Sequence, residues 1–179
     1  MPATDIFQSR MVSVFADMGP DKPVHFIDNI LISAGKTFKE HLALLEETLT
    51  CLENAGFQVN TDKSKFFSKA LTFLGFVLTP ERYQPAPKHV KAILAILAPM
   101  NIKDMIHFLG VCNFIKHHIP GQAALMKSIT RLTKKEVKFA WEEEQETAFK
   151  LIKEKVAEAI MLTYPDPAKT FHIYPDTSS

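Results

Sequence analysis

Apolar residues recur along this chain with two different periods, and the change of period divides it. Ile6, Phe7, Met11, Val14 and Phe15 repeat at three- and four-residue steps, which predicts a helix over 5–18 ended by Pro20 and Pro23. The run 24–32 then sets two apolar arms around Asp28-Asn29, residues that tolerate tight turns, and predicts a strand–turn–strand. Thr37 and Glu40 have the spacing of a capping box. The helix they start carries Phe38, Leu42, Leu45, Leu49 and Leu52 on one stripe and stops at Gly56. A short strand is expected at 57–60, a basic turn at 62–65, and a second hairpin over 71–78 closed by residues 79–82.

From Pro87 onward the pattern is helical with short breaks. One helix is expected over 87–97, with Val90, Ile93, Leu94 and Leu97 inward. Asn101 caps a second that buries Ile102, Met105, Ile106, Leu109 and Phe114. Further helices are expected over about 122–132, after the Pro120-Gly121 break, and about 142–159. A strand is expected at 171–174. The whole predicts an α+β protein with a helical middle.

Charge sharpens that division. Residues 87–138 hold nine Lys/Arg against two Asp/Glu, whereas 1–86 hold eight against ten and 139–179 hold four against eight. A basic block between acidic flanks suits a phosphate-facing module, although a solvated lysine-rich surface has the same composition. Two cysteines, Cys51 and Cys112, both in helical patterns, argue against a disulfide framework or zinc site and for a reducing, intracellular setting. Every apolar run is interrupted before it reaches bilayer length, so no membrane span is expected.

Six segments, in order, carry a resemblance. Phe26-Ile27-Asp28-Asn29 looks like an aromatic–x–Asp–Asp hairpin, and Glu40-His41-Leu42 like the helix that follows it. Phe73-Leu74-Gly75-Phe76 is similar to a primer-grip hairpin, and the run from Ile102 to Gly110 to a thumb helix. Residues 138–141 and 164–166, with 176–178, look like a connection boundary and the approach to a ribonuclease H domain. Together they resemble the reverse transcriptase of gypsy-type LTR retrotransposons. The resemblance implies a partial palm over 1–86, built of β-hairpins plus helices, a helical thumb bundle over 87–138, and a connection with a ribonuclease-H-like start over 139–179.

It also implies chemistry. Such polymerases hold two Mg²⁺ ions on carboxylates that activate a primer hydroxyl and neutralise the leaving pyrophosphate. Asp28 matches the first of the family's adjacent Asp pair, and Asn29 stands where the second is expected. Asn keeps a carbonyl oxygen and loses the charge that makes a hard-cation site. The resemblance places a further metal-binding Asp upstream of these residues, and sets Asp176, its first ribonuclease H carboxylate, three residues from the end. Stable Mg²⁺ binding, templated synthesis and ribonuclease H cleavage by this chain alone are therefore not expected. Arg82 stands where the family has Gly in the primer-grip turn, at a penalty of about 1 kcal/mol if that backbone is left-handed.

Binding is the expected residual function. Lys88, Lys91, Lys103, Lys116, Lys127, Arg131, Lys134 and Lys135 are the candidate contacts to the phosphates of an RNA/DNA primer–template, with His117 and His118 as weaker donors. His107, His117 and His118 lack the partners of a metal site, and Trp141 reads as a packing anchor. The apolar arms at Ile27, Ile30, Leu31 and Ile32 would leave an open sheet edge needing a cover, a second copy or another protein. The contrasting expectation is a domesticated remnant, a structural or interaction subunit in which fold and surface outlast the chemistry.

Overall fold

A computed structural model describes residues 2–35, 37–134, 136–166 and 168–170. Lys135, the expected strand at 171–174 and Asp176 lie outside the described residues. The chain forms two compact units, 1–74 and 75–179.

In the first unit, helix α1 (Ala3–Val14) packs on helix α2 (Phe38–Asn54). Met11, Phe15, Met18 and Leu52 form the core, with Phe7, Val14, Ile30, Leu44, Cys51 and Phe57 around it. The capping box forms: Glu40 N donates to Thr37 Oγ1 at 3.2 Å and Thr37 N to Glu40 Oε2 at 3.1 Å. Gly56 follows the helix at φ 79°, a backbone that glycine adopts without penalty.

The expected stripe of α2 is rotated. Its buried positions are Thr48 and Leu52, flanked by Leu44 and Cys51, while Phe38, Leu42 and Leu49 are exposed. The reason is tertiary: α1 takes the Leu44–Thr48–Leu52 face, so the longer apolar row turns outward. Residues 57–60 are irregular and not the expected strand. Phe57 is drawn instead onto Phe7, edge to face at 5.5 Å, and under the Arg10 guanidinium at 5.4 Å. The unit ends in strand β3 (Leu71–Phe73).

The second unit opens with strand β4 (Phe76–Leu78), which pairs antiparallel with β5 (Arg82–Pro85); β6 (Leu162–Thr163) adds to the other side of β5. Neither β5 nor β6 is visible in the sequence pattern, because Arg82-Tyr83-Gln84-Pro85 lacks a clear alternation. Arg82 lies in β5 and is not among the positive-φ residues, so the expected left-handed penalty does not arise.

Helices α3 (Pro87–Ala95), α4 (Ile102–Phe114), α5 (Gln122–Leu125), α6 (Lys127–Arg131) and α7 (Glu143–Ala157) follow. Their shared core is Ile93, Met105, Phe108, Cys112, Ile115, Ile129, Phe149, Ile152 and Val156, with Trp141 packed on its edge. Asn101 caps α4 through Asp104 N at 3.0 Å. The buried side of α4 is Met105–Phe108–Cys112, and Ile102, Ile106 and Phe114 are exposed, contrary to the pattern reading. Helix α3 stops short of Leu97, which is 84% exposed, because Lys153 Nζ reaches across to Ile96 O at 2.7 Å and closes the end. The expected third helix is two short ones interrupted at Met126. Among the described residues no helix is long and apolar enough to cross a membrane.

Candidate nucleic-acid interface

The hairpin at 24–31 has the tip expected, shifted by one residue. Strands β1 (Val24–Phe26) and β2 (Asn29–Leu31) pair with Phe26 opposite Asn29, so the turn is Ile27-Asp28 and Asn29 already belongs to a strand. Ile27, not Asp or Asn, takes the left-handed backbone, at φ 55°. A β-branched residue there is strained, and its amide is held by Gln8: Ile27 N donates to Gln8 Oε1 at 2.7 Å. Gln8 Nε2 also lies 3.4 Å from His25 Nδ1. A contact 19 residues away thus decides which residue turns the corner, which local propensity could not show.

Asp28 is exposed at the tip, and its Oδ1 accepts from Asn29 Nδ2 at 3.2 Å. The donor set here is one carboxylate and one amide. Among the described residues no group of three or more His, Cys, Asp or Glu is placed to hold a metal. These residues by themselves do not fit a two-Mg²⁺ site, which needs several oxygen anions in near-octahedral geometry.

Phe73, Leu74, Gly75 and Phe76 surround a tight turn in which Leu74 and Gly75 have φ 45° and 87°, the signs of a type I′ turn. A Cβ on Gly75 would lie 2.7 Å from Phe114 Cζ and 3.0 Å from His89 Nε2, so only glycine lets the chain pass. Phe76 stacks on Phe114 at 5.0 Å and on His118 at 5.5 Å.

That packing removes His118 from the phosphate candidates. It is buried, faces Tyr83 at 5.2 Å and binds Ile160 O through Nδ1 at 2.9 Å, while Ile160 N donates to His118 O at 3.1 Å. The ring is a structural clasp between the 3₁₀ turn at Lys116–His118 and the chain leading into β6.

The cations divide. Lys88, Lys91 and Lys103 are exposed on α3 and the start of α4 and do not line the groove described next. Lys116, Lys127, Arg131 and Lys134, from α4's end through α6, line one open groove of about 1130 Å³. Its floor includes Ile106, Leu109, Gly110 and Asn113 of α4 and Gln122; Glu144 is the acidic residue on its wall. Gln122 is buried and its Nε2 donates to Cys112 O at 3.0 Å, which fixes α5 against α4.

Gly110 is informative, and the hydrophobic pattern gives no hint of it. It lies inside α4, where glycine is less stable than alanine by about 1 kcal/mol, yet a Cβ there would meet nothing within 4 Å. Internal packing does not require it. What it provides is a low shelf in the groove floor that an external surface can approach closely.

Comparisons with known proteins identify family matches on either side of this groove. Residues 3–78 match the family model "Reverse transcriptase (RNA-dependent DNA polymerase)", and 141–179 match "RNase H-like domain found in reverse transcriptase". Over those residues the chain is reverse transcriptase-like. The Pol polyprotein of transposon 297 of Drosophila melanogaster is 30% identical over 99% of this chain and 17% of its own length. A foamy viral protease-reverse transcriptase solved with double-stranded DNA matches with a TM-score of 0.76 at 25% identity, over 87% of this chain and 27% of that one. The foamy viral enzyme solved with an RNA/DNA hybrid matches with a TM-score of 0.72, also at 25% identity, over 87% and 21%. The segment spans between 9% and 17% of the curated Pol polyproteins it matches.

Proposed function

We propose that this chain is a gypsy-type retroelement segment that binds the sugar–phosphate backbone of a primer–template duplex through the α4–α6 groove and does not polymerise by its own residues. In this reading 1–86 is a partial palm, 87–138 a thumb, and 139–179 a connection with a ribonuclease-H-like start. The observation that carries it is the gathering of Lys116, Lys127, Arg131 and Lys134 around the open shelf at Gly110. Four cations converge on one concavity, and Gly110 itself presents no side chain to a duplex backbone that approaches there. Such contacts are electrostatic and independent of sequence.

At the Asp28 tip, Asn29's amide partners the lone carboxylate in place of a cation. Divalent-ion chemistry would then require carboxylates from outside the described residues. Val24 and Phe26 are exposed on the two-stranded hairpin, which supports a protein partner or second copy covering that edge. The same exposure, with Asn29, is what favours the second reading, a domesticated structural or interaction subunit.

A salt-titrated binding assay on a primer–template duplex separates the two. Binding that falls steeply with salt and weakens in Lys127→Ala and Arg131→Ala supports the groove; no binding at low salt supports the subunit reading.

A further inference from the structure

The first unit carries a second surface with nucleic-acid chemistry, unrelated to the groove of the second unit. Residues 61–70 run almost entirely exposed and hold Lys63, Lys65 and Lys69 against Asp62 as their one acid. Inside this run Phe67 adopts φ 55°. A bulky aromatic residue in the left-handed region is strained, and such strain persists where the geometry serves something. Burial is not what it serves, because Phe67 is 52% exposed. Its ring lies 5.1 Å from that of Phe38, which opens α2 and is 66% exposed, and 5.9 Å from His41.

Two exposed aromatic faces are therefore set side by side. Lys39 follows Phe38 in the chain, and Lys65 and Lys69 lie two residues either side of Phe67. None of Lys39, Lys63, Lys65 and Lys69 belongs to an ion pair among the described residues. Glu40, the nearest acid on α2, has its carboxylate on Thr37 N.

We infer that the Phe38–Phe67 pair with Lys39, Lys63, Lys65 and Lys69 is a binding surface for single-stranded RNA or DNA, on which bases stack and the lysines meet the phosphates. A protein partner would suit the apolar rings alone. The four lysines close to these phenylalanines in the chain, none in an ion pair among the described residues, select a polyanion, and exposed rings select one with unpaired bases. A duplex presents its bases only at their edges and gains nothing from a stacking platform.

The test uses the full chain and a fluorescent oligothymidylate, with a duplex of equal length as the comparison. Phe67→Gly removes the ring and puts at φ 55° a residue that adopts this backbone without steric strain. Phe38→Ala is a second, independent probe at an exposed helix start. Each is expected to weaken oligothymidylate binding roughly tenfold and to leave duplex affinity unchanged. Lys127→Ala/Arg131→Ala should do the reverse, so the groove reading can fail while this one stands. Three outcomes overturn the inference: no single-strand binding by the parent, unchanged affinity in Phe67→Gly, or an equal loss for single strand and duplex. A concentration-dependent dimer that both phenylalanine substitutions dissolve would assign the rings to a second copy and overturn it as well.

Discussion

Gln8 and Ile27, 19 residues apart, are joined by a 2.7 Å hydrogen bond that fixes the hairpin tip. Ile27 is left-handed and half-buried, and the Gln8 carboxamide is the acceptor that holds its amide there. Gln8→Leu keeps the bulk and deletes the acceptor, leaving that donor unsatisfied. It should destabilise the first unit by about 1–3 kcal/mol in chemical denaturation, with faster hydrogen exchange at the Ile27 amide. Gln8→Glu retains an acceptor and should keep most of that protection. Unchanged exchange in Gln8→Leu would remove Gln8 from this role.

Gly75→Ala meets two obstacles at once, φ 87° and the 2.7 Å approach to Phe114. Phe114 is also stacked on Phe76, so it cannot move without cost. The expected loss is roughly 2 kcal/mol, from the left-handed penalty and the overpacking together. Thermal unfolding of the purified chain measures it.

Gly110 behaves in the opposite way. Gly110→Ala should raise stability by about 0.5–1 kcal/mol, since its Cβ enters open space on a helix. Gly110→Trp should fold but fill the shelf, weakening duplex binding while leaving the salt slope intact. Lys127→Ala and Arg131→Ala should each flatten that slope, by roughly 0.9 for every B-DNA phosphate that is no longer neutralised. A Gly110→Trp chain with parental affinity would place the duplex elsewhere.

Cys112 is fully buried among Met105, Phe108 and Ile115, and burial pushes its thiol up from 9.0 to about 12. The folded state therefore keeps this proton where the unfolded state releases it. Its contribution is fully present below pH 9 and declines as pH rises from 9 towards 12. Stability should fall over that range more steeply in the parent than in Cys112→Ala, once the cavity made by the substitution is removed by comparison at pH 7. The folded thiol should also resist alkylation at pH 8 while half-buried Cys51 reacts faster.

Much of this protein follows from sequence because the relevant physics is local. The Thr37–Glu40 box, the Asn101 cap and the Gly56 stop are each decided within a few residues. The order of motifs likewise points to a reverse transcriptase-like segment, and the seven described cations proposed for phosphate binding are all exposed. Tertiary structure decided what competes across long separations. Which row of α2 is buried depends on α1, which face of α4 is buried depends on α3 and α7, and β5 becomes a strand because β4 and β6 supply its partners. His118 is a clasp and not a phosphate donor because its Nδ1 is engaged by the carbonyl of Ile160, 42 residues on. The groove arises only when Lys116, Lys127, Arg131 and Lys134 are folded around Gly110. Hydrophobic periodicity states that a residue can be buried; only the neighbour that arrives determines whether it is.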